Sequence, residues 1–393
     1  MINLLLAIIY LSFISLGLPD SLLGSAWPSM YEELNVPISY AGIISMIIAV
    51  GTIVSSLFSD KFTNKLGAGK VTAISVAMTA FALFGFSVSN SFVLLCLFAV
   101  PYGLGAGSVD AALNNFVALN YESRHMSWLH CMWGVGTTIG PIVMGYALTN
   151  AEGWNNGYLY VSLFQIMLSV VLFISLPLWR KTSSEKTENN DIKNQKPLSL
   201  LETMRINGAK EVMLAFFCYC AVEQTAMLWV SSYMNLHVGM SEENSASCAS
   251  VFFVGITLGR FLNGFLTYKF TDTQMVRIGS SIIIIGASML LLPLGQIISI
   301  IGVVLIGLGC APIYPSIIHS TPERFGEDKS QTMIGVQMAS AYVGTCLMPP
   351  LFGIVAKNIN VSLLPVYLII LTLVMILVHE ILVKKTREDR CEH

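Results

Sequence analysis

The chain has 393 residues, of which 54% are hydrophobic and only 11% charged, with a formal net charge of −2. Soluble domains carry about a quarter charged residues, so this composition excludes an ordinary water-soluble core. No metal-ligand cluster, phosphate-binding loop or nucleophilic triad is recognisable, so neither enzyme chemistry nor nucleic-acid binding is expected. Cys96, Cys131, Cys218, Cys220, Cys310 and Cys346 sit inside apolar segments without zinc-site or disulfide-scaffold spacing, and read as small core residues.

In chain order, the first apolar stretch starts at Met1 without a charged n-region, holds Asp20, and is followed by no small-residue cleavage site. It reads as a first membrane span rather than a cleaved signal peptide. A helix needs about 20 mostly apolar residues to cross the hydrocarbon core. That criterion predicts spans near 3–29, 39–59, 70–89, 92–119, 127–149, 155–179, 209–235, 245–268, 274–293, 297–319, 330–356 and 361–383. The short connections Ser87–Ser91 and Pro293–Ser299 predict tightly packed antiparallel neighbours. The expected fold is an all-α membrane protein of twelve transmembrane helices in two pseudo-symmetric six-helix bundles. These are residues 1–180 and 209–393, joined by a polar linker over 181–208 that carries no enzymatic domain.

Charge predicts orientation. Nineteen of the 21 Lys and Arg fall on one side of such a bundle: Lys61, Lys65 and Lys70, Arg124, seven from Arg180 to Lys210, then Lys269, Arg277, Arg324, Lys329 and four at the end of the chain. The opposite connections, Tyr31–Ser39, Thr149–Asn156 and Asn235–Ser245, hold acids but no Lys or Arg. The positive-inside rule then puts both termini and the linker in the cytoplasm of a plasma (inner) membrane protein.

The halves resemble one another. Trp27 and Tyr31 match Trp229 and Tyr233; Val50–Gly51 matches Val254–Gly255; Gly103-Leu104-Gly105 matches Gly307-Leu308-Gly309; and Gly136, Pro141 and Gly145 match Gly344, Pro349 and Gly353. The offsets run from 202 to 208. Six spans per half make this a parallel repeat about an axis along the membrane normal, the plan on which transporters place a site between halves.

Ionisable groups in hydrocarbon are costly and are functional candidates by default. Three carboxylates qualify: Asp20 in the first span, Asp110 in the fourth and Glu223 in the seventh. None has Lys or Arg at i±3 or i±4, so each reads as an unneutralised, protonatable group suited to proton coupling. Gly103, Gly107, Asp110 and Asn114 form one helical stripe, in which the small residues let a neighbour approach closely. Asn115 adjoins on another face. His130 and Trp133 lie one turn apart in the fifth span; Gln224 and Trp229 follow Glu223; Gln337 sits in the eleventh span. Aromatic rings beside carboxylates and amides suit a sugar, stacking on its apolar face and bonding its hydroxyls. Asn114, Asn115, His130, Trp133, Gln224, Trp229 and Gln337 are therefore the expected solute contacts. Trp27, Tyr31 and Tyr233 also read as interfacial belt residues, and Arg260 as a residue that snorkels or pairs across helices.

These residues resemble the major facilitator superfamily over essentially the whole chain. Ser56-x-x-x-Asp60-Lys61 followed by Gly67-Ala-Gly-Lys70 is similar to its G-x-x-x-D-R/K-x-G-R/K signature, with Ser for the first Gly and extra residues before Gly67. The resemblance implies gating roles for Asp60 and Lys61. Gly17–Asp20, the run Gly103–Asn114 and Tyr219–Glu223 resemble the fucose permease and glucose/galactose permease branch. That branch carries an acid in the first span and an acid four residues before an Asn in the fourth, tied to proton-coupled sugar uptake. Asp20 and Asp110/Asn114 match those positions, although the permease has Glu where this chain has Asp110. The expectation is a monomeric proton–monosaccharide symporter in the lipid bilayer, without cofactor or metal and with sodium coupling left open. A proton-coupled drug or metabolite exporter and a non-transporting sensor are the alternatives.

Overall fold

The computed structural model describes residues 2–37, 40–149, 153–179, 200–240, 242–293 and 295–391, and among these every regular element is helical. Residues 181–199 of the expected linker lie outside the described residues. The first span is two helices, α1 (Ile2–Asp20) and α2 (Leu22–Glu33). Then follow α3 (Ala41–Leu66), α4 (Ala68–Ser87), α5 (Phe92–Asn120), α6 (Ser123–Thr149) and α7 (Gly153–Ile174). The second half holds α8 (Ala209–Leu236), α9 (Glu242–Leu266) and α10 (Asp272–Leu291). The tenth span is again divided, into α11 (Gln296–Cys310) and α12 (Ile313–His319), with Pro312 at the break. A short α13 (Thr321–Phe325), then α14 (Glu327–Asn358) and α15 (Leu364–Cys391) complete the chain.

Among the described residues, eleven segments are long and apolar enough to cross a membrane; within α9 the apolar stretch is the shorter Val251–Leu266. With α9 this makes twelve. The chain is a multi-pass membrane protein of twelve helices in two bundles.

The described residues form two compact units, one from 2–120 and 132–179, the other from 121–131 and 200–391. Residues 121–131 thus pack with the second unit, although in sequence they open the fifth span. In the first unit α3 and α4 both pack on α5, and α4 on α7. In the second α9 and α10 pack on α11, α10 on α15, and α8 on α14. The first three of these repeat the first unit's pairings six spans later.

Helix α3 shows how such sequences pack in hydrocarbon. Met46, Val50, Val54, Phe58 and Phe62, each four residues apart, are all exposed. Its buried residues include Gly51, Thr52, Ser55, Ser56 and Ser59. The apolar stripe faces outward and the small polar one inward, because lipid tails are as apolar as Leu and helix contacts depend on close approach. A Cβ on Gly103 would overlap the carbonyl of Ile48, and one on Gly307 the carbonyl of Phe252; Gly105 meets the carbonyl of Ser75 and Gly309 that of Gly279. In each pair the glycine and its partner are both displaced by 204 positions. The repeat seen in the sequence is therefore a repeat of backbone contacts.

The belt reading is corrected for two aromatics. Trp27 and Tyr233 are 5% and 1% exposed, and the Tyr233 hydroxyl donates to the carbonyl of Leu290 at 2.6 Å. Both are core residues, whereas Tyr31 bonds Glu32 at 3.0 Å near the surface.

Candidate functional site

The break between α1 and α2 positions Asp20. Pro19 has no N–H, so the carbonyl of Ser15 loses its helical donor. The side-chain amide of Gln165 in α7 takes that place, donating to Ser15 O at 2.6 Å, while its oxygen accepts from Thr79 of α4 at 2.9 Å. Helix α6 closes on the same region through small residues. A Cβ on Gly17 would overlap the carbonyl of Trp133, and one on Gly136 the carbonyl of Ile14. Contact at backbone distance brings the Trp133 indole to Asp20.

Both carboxylate oxygens are engaged: the Tyr102 hydroxyl donates to Oδ1 at 2.9 Å and the Trp133 indole N–H donates to Oδ2 at 2.9 Å. Asp20 is nevertheless an exposed residue and Trp133 half-buried, while Tyr102 is buried. A carboxylate with two charge-assisted bonds, set within the Leu4–Trp27 span, is an uncommon arrangement for a membrane helix. Sequence reading found Asp20 and Trp133 but not Tyr102. Tyr102 lies off the glycine stripe of α5, and its only local signal is a tyrosine beside Pro101 in mid-span.

Asp110 and Asn114 form a second group, on α5. The Asn114 amide donates to Asp110 Oδ1 at 2.8 Å and to the Asp110 carbonyl at 2.9 Å. Both are buried, as is Asn115. The stripe leading to them packs as its composition demands: Thr52 and Ser56 of α3 donate to the carbonyls of Gly103 and Gly107 at 3.2 and 3.3 Å.

Glu223 departs from expectation. It has no cation on its own helix, but Arg260 of α9 reaches it, Nη2 to Oε1 at 3.2 Å, with the arginine side chain 3% exposed. Glu223 is thus ion-paired rather than unneutralised, and Arg260 is buried rather than snorkelling. The residues fixing this are 37 positions apart on two helices, which same-helix spacing does not reveal. Tyr219, one turn before Glu223, stacks on Phe216 with centroids 6.2 Å apart. The rings of Tyr219, Phe216 and His130 all meet Tyr314, His130 edge-on at 4.3 Å.

The remaining predicted contacts divide by exposure. Gln224 and Trp229 are half-buried; the Trp229 indole donates to the carbonyl of Pro349 at 3.0 Å and its ring meets Phe352 at 5.4 Å. Gln337 is 0% exposed and exchanges hydrogen bonds with Thr321 at 3.1 and 3.2 Å. His130, Asn114 and Asn115 are likewise buried, so these four are not open to a solute here. Asp60 is buried and accepts from Asn64 at 2.8 Å, while Lys61 is exposed.

Two helix-packed bundles in repeat, breaks in the first and tenth spans and carboxylates at depth form the plan of a secondary transporter. The Major Facilitator Superfamily family model matches residues 9–349 and, a second time, 212–390. The chain belongs to the major facilitator superfamily. It is 21% identical over 385 residues to "Bypass of stop codon protein 6" of Saccharomyces cerevisiae, covering 90% of this chain and 77% of that protein. It is 22% identical over 310 residues to the glucose/mannose transporter GlcP of Bacillus subtilis, covering 78% of this chain and 77% of the other. Among solved structures, the E. coli fucose:proton symporter FucP superposes with a TM-score of 0.74 at 16% identity, covering 96% of this chain and 98% of that one. At such identity the likeness is one of fold.

Proposed function

We propose that this superfamily member takes up a monosaccharide or similar polyol together with protons, by alternating access. The observation that carries the reading is the Asp20 carboxylate at a broken helix, bonded by an indole and a phenol. A carboxyl in that position is costly as an anion when cut off from water and cheap when protonated. It therefore favours crossing the membrane in its protonated form and releasing the proton on the other side. The aromatic rings supply the apolar surface a sugar ring stacks on. The relatives GlcP and FucP, described as a glucose/mannose transporter and a fucose:proton symporter, support the same substrate class.

In this reading Asp20 and Asp110 carry coupling, Trp133, Gln224 and Trp229 contact solute, and Asn114 orients Asp110. Glu223 and Arg260 neutralise one another, so Glu223 positions its aromatic neighbours rather than carrying the transported proton. Asp60 and Lys61 act in gating, and both termini face the cytoplasm of the plasma membrane.

Reconstitution into proteoliposomes tests the reading. Under an imposed pH gradient, acid outside, labelled monosaccharides are expected to accumulate inside, with sodium replaced by choline throughout. Asp20→Asn is expected to abolish accumulation while keeping solute exchange at equal concentrations. Unchanged accumulation in Asp20→Asn overturns the coupling role, a sodium requirement overturns the proton, and net export against the proton flow overturns uptake.

A further inference from the structure

The two donors on Asp20 are chemically unlike, and this difference determines where a proton can settle. An indole N–H donates and never accepts, whereas a phenol hydroxyl does both. A proton on Oδ2 would turn it into a hydroxyl oxygen, a weaker acceptor, and the indole donating to it at 2.9 Å cannot reverse to accept that proton. On Oδ1 the obstacle is removable: the Tyr102 hydroxyl, now donating at 2.9 Å, can rotate about its C–O bond and accept instead. Tyr102 is buried, so its ring stays in place while its hydroxyl hydrogen turns.

We infer that Tyr102 is a positioning residue that makes Oδ1 of Asp20 the proton-accepting oxygen and converts protonation into a reversal of its own hydroxyl. The inference rests on the proposed coupling role of Asp20. A proton from water adds to Oδ1, forming one O–H bond and discharging the carboxylate. The Tyr102 O–H, released from Asp20, turns away from the carboxyl, and the phenol oxygen accepts the new O–H. Loss of the proton to water returns the hydroxyl to Oδ1. Trp133 has the complementary part, holding Oδ2 as the carbonyl oxygen in both states.

Infrared difference spectroscopy of the full chain in lipid vesicles, acid minus alkaline, tests this without knowledge of the solute. The wild type is expected to show a carboxylic C=O band that is absent in Asp20→Asn. Trp133→Phe removes the donor to the carbonyl oxygen and is expected to move that band to higher frequency. Tyr102→Phe is expected to leave the C=O band in place and to raise only the carboxylic O–H stretch. The opposite pattern, a C=O shift in Tyr102→Phe and none in Trp133→Phe, puts the proton on Oδ2 and overturns the inference while leaving Asp20 as the coupling residue. If no band titrates, or the band survives in Asp20→Asn, the coupling role itself falls and the inference with it. Because the wild type and each variant are read separately, one variant failing to fold leaves the other decisive.

Discussion

At the scale of single residues, what a carboxylate does in this protein depends on which group reaches it. Asp20 meets two neutral donors, Asp110 an amide four residues on, and Glu223 a guanidinium. Removing one member of a buried ion pair leaves an uncompensated charge and costs about 3–5 kcal/mol, whereas removing both is often nearly neutral. Arg260→Met is therefore expected to lower the thermal stability of the detergent-solubilised protein sharply, and Glu223→Gln with Arg260→Met to restore most of it. Equal losses in the single and double variants would show that the pair does not act as a unit. Gln337 illustrates the same dependence with a neutral group. A glutamine in a membrane helix reads as a solute contact, yet its amide nitrogen and oxygen are both bonded to Thr321.

At the scale of helices, glycines fix which faces meet. A side chain on Gly107 would overlap Thr52 and Ser55 of α3, so Gly107→Leu must push α3 and α5 apart and is expected to abolish recovery of folded protein from membranes. Gly145, also helical, would carry a Cβ with nothing within 4 Å. Gly145→Ala is expected to be tolerated and to raise stability by up to about 1 kcal/mol, the helix-propensity difference between the two residues. A thermal melt distinguishes the two cases, and a Gly107→Leu protein as stable as Gly145→Ala would refute the close-approach argument. Helix ends add a polar clasp in the second unit. Asp272 stands in the first turn of α10 and His319 in the last turn of α12, where the helix dipoles favour an anion and a cation respectively. His319 Nδ1 lies 2.6 Å from Asp272 and Nε2 3.2 Å from the carbonyl of Tyr121, while Ser123 donates to Asp272 at 2.5 Å. Both ring nitrogens of His319 thus face oxygens, one of Asp272 and one of the chain at Tyr121. His319→Ala removes bonds worth about 2 kcal/mol together, and faster amide hydrogen exchange over 121–125 is the expected result.

At the scale of the whole molecule, the outcome is two bundles built from one set of contacts used twice. Gly103 against Ile48 and Gly307 against Phe252 are the same contact in the two halves. The charge distribution predicts that both termini face the cytoplasm. An impermeant protease is expected to remove an epitope tag added after His393 in inside-out vesicles and to spare it in intact cells; the reverse pattern would invert the topology.

The sequence alone determined the membrane spans, their number and their repeat. These follow from hydropathy, from spacing along one helix and from internal similarity, all readable within a few dozen residues. Asp20, Trp133 and the Asp110–Asn114 pair were legible for the same reason, since an acid in an apolar run or a pair at i and i+4 announces itself. Only tertiary structure decided the partners. Tyr102 lies 82 residues from Asp20 and Arg260 lies 37 from Glu223, and no helical period links such positions. Tertiary structure also decided that Asn114, Asn115, His130 and Gln337 are covered, because burial depends on which helices the glycines allow to close. The physical reason is range: the cost of apolar surface in water is paid residue by residue along the chain, whereas hydrogen bonds and ion pairs in hydrocarbon form only where folding brings distant helices together.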